Sequence, residues 1–328
     1  MNKVKAFFVR KYRQIKYLVL RFVRLSRYIT IPFFQGQSLY DVMRFFWLGI
    51  FEGNVTSRAA SIAFSFFLAL FPALIFLFSL IPYVPIEGFQ DKLFDLLQEI
   101  MPPNSYEAAE STIDDIITNR RGGLLSFGFF LGLIFGANGF NALMTNFNTT
   151  IHELGERGFF KQELIAIFLT LILSLLILLG VTLIIFTESF TFWLVNNEFI
   201  PKSWTGLIQA GRLLLMLFTV YISIAILFYF GPANRHLYRF FSPGSILATV
   251  LIIFASYGFS YYVDNFNQYN RLYGSIGTLL VILLWIYLNS IVLIIGFEFN
   301  ASIAQAKLRK EKLGAAIRRK QKRDVKKR

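Results

Sequence analysis

Six long stretches of this chain contain no charged residue. Five lie between Arg58 and Glu87, between Arg121 and His152, between Glu163 and Glu188, between Arg239 and Asp264, and between Arg271 and Glu298. The sixth lies between Arg212 and Arg235. A bilayer core about 30 Å thick takes about 20 apolar residues of α-helix, at a rise of about 1.5 Å each. A large soluble protein buries single helices, but it does not produce six charge-free runs of this length. The pattern therefore predicts an all-α, polytopic integral membrane protein. Its six transmembrane helices fall near residues 57–81, 123–147, 164–187, 207–230, 243–263 and 273–301.

Outside the spans the pattern changes. Over residues 1–30, Val4, Phe8, Ile15, Leu18, Phe22, Leu25 and Ile29 recur at steps of three and four, with Lys11 the one break. The other faces are rich in Lys and Arg, which predicts an amphipathic helix lying in the membrane interface among anionic headgroups. The same segment lacks the uninterrupted apolar region of a cleavable signal peptide. A second amphipathic helix is expected over 38–53, capped by Ser38. Residues 1–56 thus read as basic interfacial helices, 57–304 as the membrane domain and 305–328 as a basic tail. Blocks of like charge are usually solvated and disordered, so the tail is expected to lie against the membrane surface without forming an element of its own.

Punctuation inside the spans is informative. Pro72 removes a backbone hydrogen bond from span one and predicts a kink near Leu68; Pro82 and Pro85 end that span. Ser242-Pro243 is a cap and first turn for span five, and Gly244, Ala248, Ser256 and Ser260 give it a small-residue packing face. Gly128, Gly132 and Gly136, four apart on span two, predict one face where a neighbouring helix comes close. The almost pure Leu and Ile of span three predict contact with lipid. Residues 83–121 are acidic, with Phe89, Leu93, Leu96 and Ile100 on one helical face, and read as a small helical cap.

Composition agrees: 55% of residues are hydrophobic and 16% charged, against about 25% charged in soluble domains. The net charge of +14 matters through its placement. With six spans, 27 of the 33 Lys and Arg fall on the side of the termini and five on the other. Cations mark the cytoplasmic side, so both termini are expected in the cytoplasm and the acidic cap outside. There is no cysteine, hence no disulfide framework and no thiolate chemistry.

Polar residues inside the spans are costly in hydrocarbon and point to function or to helix–helix bonding. Glu298 lies on the order of 37 Å along span six from Tyr273, at the level where Arg58 begins span one. The two could pair. Ser61, Asn138, Asn141, Asn289 and Asn300 fall in the same halves of their spans. One expectation is that these seven line an inward-open cavity. The other is snorkelling plus interhelical hydrogen bonds. Glu188 and Arg212, at matching depth on the opposite side, are expected to form a structural ion pair. Gly274 and Gly277 allow either irregular backbone or close packing at the start of span six.

A metal-dependent nuclease would need several His and carboxylate ligands in an aqueous site. The chain holds two histidines, His152 and His236, and only His152 has a carboxylate, Glu156, at helical spacing. It has no phosphate-binding loop, nucleophile elbow or His-Glu-x-x-His motif. No enzyme, cofactor, metal site or nucleic-acid partner is expected.

Three segments together carry a family resemblance: Ser57-Arg58-Ala59-Ala60-Ser61 through Leu70-Phe71-Pro72, NALMTNFNTTIHE from Asn141, and YGSIGTLLVILLWIYLNSIVLIIGFEFNA from Tyr273. They are similar to the YihY/virulence factor BrkB family of bacterial inner-membrane proteins, over roughly residues 40–305. The resemblance implies six spans and the bacterial inner membrane. The family has carried a ribonuclease BN label, and some members are linked to envelope or lipid-related transport. The resulting expectation is a transporter- or flippase-like protein for an amphipathic or anionic envelope molecule. The alternative is a non-transporting membrane scaffold. Substrate, coupling ion and oligomeric state are not legible in the sequence.

Overall fold

A computed structural model describes residues 26–83, 122–150, 157–197, 201, 204–265 and 275–326. The expected helices over residues 1–25 and in the 84–121 cap lie outside them, as do His152, Glu156, Tyr273 and Gly274. Among the described residues the fold is all-α, with one isolated antiparallel bridge between Thr30 and Ser38. We number the main helices α1 (Leu39–Glu52), α2 (Val55–Leu80), α3 (Gly122–Asn148), α4 (Phe159–Asn196), α5 (Thr205–Phe230), α6 (Pro243–Asn265) and α7 (Ser275–Lys326). Six of them, α2 to α7, are long and apolar enough to cross a membrane.

The helix starts follow from local chemistry. Ser38 caps α1: its hydroxyl oxygen accepts the Asp41 N–H at 3.1 Å. Asn54, at φ 48°, turns the chain from α1 into α2; asparagine tolerates this left-handed conformation better than most residues. Ser242 accepts the Ser245 N–H at 3.2 Å at the start of α6. Pro72 sits inside a helix that continues through it to Leu80.

The six long helices form a ring in chain order. Each packs on the next, α2 on α3 and so on round to α6 on α7, and α7 closes against α2. Alternate ends meet, so α2, α4 and α6 begin at the end of the bundle where α3 and α5 finish. The basic extension of α7 lies at this end too, and we call it the basic end. Here α1 lies against α7, where Phe34 and Phe46 meet Phe299 edge-on at 5.6 and 5.3 Å.

Packing is strongly uneven along the ring. The core gathers at the basic end, where Phe147, Phe228 and Phe297 are each 1% exposed. Phe147 and Phe297 stack at 4.0 Å across the ring, and Phe228 meets both edge-on. In the opposite half no described side chain is buried over 174–197 of α4, 206–223 of α5, 250–263 of α6 or 278–289 of α7. Contacts persist there all the same: α2 and α3 stay tight, α4 meets α5 at Gly180 and Thr219, and Phe259 of α6 lies 4.9 Å from Trp285 of α7. A Cβ on Gly128 would stand 3.0 Å from the Phe76 backbone, so glycine allows the approach of α2 and α3.

Two expectations change and a third is extended. The tail does not stand apart: α7 runs for 52 residues to Lys326. Its Ala, Leu, Glu, Lys and Arg are good helix formers, and the membrane span supplies a ready nucleus. Span three is part of a 38-residue helix, too long to lie wholly in hydrocarbon. The three glycines of span two do not share one neighbour. Gly128 and Gly132 face α2, whereas Gly136 faces Thr170 of α4. Four-residue steps drift by about 40° each on a helix of 3.6 residues per turn, enough to change partner over eight residues.

Candidate functional site

The polar residues of the basic end converge on one buried ion pair. Arg58, in the first turn of α2, is 7% exposed, and Glu298 of α7 is fully buried. Arg58 Nη1 donates to Glu298 Oε1 at 2.5 Å and to the Gly53 carbonyl at 3.2 Å. Its Nη2 donates to the Asn146 carbonyl. Gly53 is the C-cap of α1, and Asn146 lies in the last turn of α3. One guanidinium therefore satisfies carbonyls at two helix C-termini, where the helix dipoles favour a cation, and neutralises a carboxylate on a third helix. The other carboxylate oxygen, Glu298 Oε2, accepts from the Thr150 hydroxyl at 3.0 Å.

Tyr238 completes the pocket from the α5–α6 connection. Its ring lies against Phe297 at 5.6 Å, and its hydroxyl is buried with no hydrogen-bond partner among the described residues. Burial, and then the nearby Glu298 charge, push the phenol well above its ordinary pKa, so it stays neutral. Arg157, just before α4, repeats the logic of Arg58. Its Nη2 donates to the Phe230 and Pro232 carbonyls at 3.3 and 2.5 Å, closing the C-terminus of α5. Burial, then Arg235, lower its pKa.

The other polar candidates divide into separate sites. Asn300 Oδ1 accepts the Gly244 N–H and its Nδ2 donates to the Ser242 hydroxyl, each at 2.8 Å. It thus caps the N-terminus of α6 from α7. Asn141 donates to Glu163 of α4 at 2.5 Å. Asn289 bonds back to the Trp285 carbonyl of its own helix. Ser61 and Asn138 are exposed on the outside of the ring. The seven residues expected to line one cavity are therefore not together. Arg58, Glu298 and Asn300 are buried in bonded helix junctions, because unbonded carbonyls and amides at helix ends are costly away from water. The Glu188 side chain lies outside the described residues; Arg212 faces a narrow cleft beside Thr187 and Gly180.

Thr150, Tyr238 and Arg157 were missed by sequence reasoning. Only Arg157 carried a signal: a cation just ahead of a long, largely apolar helix. Among the described residues no three His, Cys, Asp or Glu side chains gather as metal ligands.

Fold and site define a polytopic α-helical membrane protein whose ring is closed at its basic end by a buried ion pair. The chain belongs to the Virulence factor BrkB family, whose model matches residues 47–321. It is 33% identical to a ribonuclease-like protein, YfkH, of Bacillus subtilis, over 76% of this chain and 90% of the relative. It is 24% identical to a UPF0761 membrane protein of Alteromonas mediterranea, over 82% of this chain and 90% of the relative. A UPF0761 membrane protein of Stenotrophomonas maltophilia is also 24% identical, but the chain spans only 60% of its length. No solved structure matches. The UPF0761 relatives are named as membrane proteins, and "ribonuclease-like" is a label on one relative's name.

Proposed function

We propose that this protein carries an amphipathic or anionic envelope molecule across or along the bacterial cytoplasmic membrane, as a transporter or flippase. The basic end faces the cytoplasm in this reading, supported by the placement of 27 of the 33 Lys and Arg on that side. One observation carries the proposal: the ring is packed and ion-paired at the basic end, whereas among the described residues no side chain is buried in the opposite half of α4 to α7. A bundle built only to anchor would gain by packing along its whole length. A ring with a buried layer at one end and none among the described residues of α4 to α7 at the other resembles one state of an alternating-access cycle. The Arg58–Glu298 pair is then the inner gate, and the cavity expected beside it forms only when that gate opens.

The absence of cysteine makes a direct test simple. Single cysteines are placed at each position over 281–289 of α7 and treated with a membrane-impermeant thiol reagent from outside intact cells. A carrier gives labelling every three or four residues, along a water-lined face. Uniform protection, together with no movement of fluorescent anionic lipid in proteoliposomes, would refute the carrier reading.

A scaffold is the second reading. It is favoured by the use of Arg58, Arg157 and Asn300 as helix-end caps, which is a structural task.

A further inference from the structure

Four cations line a groove of about 550 Å³ at the basic end, between α1 with its preceding loop and the extension of α7. They are Arg27, Arg44, Arg309 and Lys310, and the one carboxylate among them is Asp41. Three of the four cations are held in place. The Arg27 guanidinium lies 4.7 Å over the Tyr40 ring, and that of Arg309 lies 5.8 Å from the centre of the Phe45 ring. Lys310 Nζ donates to the Gly36 carbonyl at 3.4 Å. Asp41 is engaged by the Ser38 hydroxyl at 2.7 Å. The groove is therefore a preorganised cationic site suited to phosphate oxygens.

A second observation says which phosphate. α1 turns a bare apolar edge away from the bundle: Trp47 is 53% exposed and Phe51 79%, with their rings stacked at 5.6 Å. Leu48 is also exposed, and it follows Arg44 by one helical turn. An amphipathic helix with such an edge sits at the boundary of headgroups and acyl chains. In a membrane that covers this edge, the groove would lie on its headgroup side.

We propose that this groove binds the phosphate headgroup of an anionic phospholipid, whose acyl chains lie along Trp47, Leu48 and Phe51. The site is independent of whether the protein is a carrier. It couples the lipid to α7, the helix that also bears Glu298, through the α1–α7 junction.

The test uses the full chain with Trp193, Trp204 and Trp285 changed to Phe, leaving Trp47 as the only tryptophan. It is placed in phosphatidylcholine nanodiscs containing a minor fraction of either brominated phosphatidylglycerol or brominated phosphatidylcholine. The phosphatidylglycerol is expected to quench Trp47 at a mole fraction roughly a hundredfold lower. Each headgroup-facing cation contributes about fivefold to anionic-lipid preference, so R309Q/K310Q should lower it by an order of magnitude or more. The control K312Q/R319Q, on the same helix but outside the groove, should keep it. If R309Q/K310Q does not fold, R44Q alone should lower the preference about fivefold. Three results would overturn the proposal: equal quenching by the two lipids in the parent, equal losses in both double variants, or displacement of the lipid by millimolar pyrophosphate, which would make a soluble phosphate the occupant.

Discussion

Arg58 and Glu298 stand 240 positions apart in the chain and 2.5 Å apart in the fold. Their contact ties the first spanning helix to the last, and through the Gly53 and Asn146 carbonyls it draws in the ends of α1 and α3. Removing either partner strands a buried charge. Arg58→Met or Glu298→Gln should each cost about 3–5 kcal/mol, read as a lowered melting temperature in detergent. The double variant should lose clearly less than the sum of the two singles. Additive losses would mean that the pair is not coupled.

Asn300 serves α6 from outside that helix. Asn300→Leu removes an acceptor from the Gly244 N–H and a donor to Ser242, and should cost about 1–3 kcal/mol. Asn300→Asp keeps the acceptor and should recover part of the loss in a thermal melt. An aspartate no better than leucine would show that the Gly244 bond contributes nothing.

Tyr238 gives a pH signature. Its phenol is raised above the ordinary value of 10.0 by burial and by Glu298. The stability linked to this group is complete below pH 10 and declines above it, as the unfolded chain ionises and the folded one resists. Tyr238→Phe should flatten that alkaline decline. At neutral pH it should leave stability unchanged or slightly higher, because the hydroxyl it removes is buried without a partner among the described residues. Unfolding curves at pH 7 and pH 10.5 test both halves.

The α6–α7 crossing depends on two glycines. A Cβ on Gly244 would stand 2.2 Å from the Gly296 carbonyl oxygen, and one on Gly296 would stand 2.6 Å from Ala248 Cβ. Gly296→Leu should therefore force the helices apart and sharply reduce folded protein in the membrane fraction. Gly258→Ala, where nothing lies within 4 Å, should be tolerated. Equal yields from the two variants would argue against a close crossing.

Much of this architecture was legible in the sequence. Length and hydropathy fix the six spans because hydrocarbon demands continuous apolar helix. Ser38 and Ser242 mark helix starts because each bonds to the first turn that follows it in the chain. The equal depth of Arg58 and Glu298 follows from the rise per residue alone. These features depend on neighbours close in the chain or on the fixed thickness of a bilayer.

Tertiary structure decided the rest. Depth does not say which way a side chain points, so Ser61 and Asn138 lie outside the ring while Glu298 is buried at a junction. Helical drift sends Gly136 to α4 although its two companions face α2. The carbonyls that engage Arg58 have no identity in a sequence, since every residue has one. Whether the ring is packed or loose depends on how six helices tilt together. The sequence by itself determined that six helices are long and apolar enough to cross a membrane. Only their mutual packing decided that the polar residues of the basic end bond to one another and to helix ends, because that geometry is a property of the assembled ring.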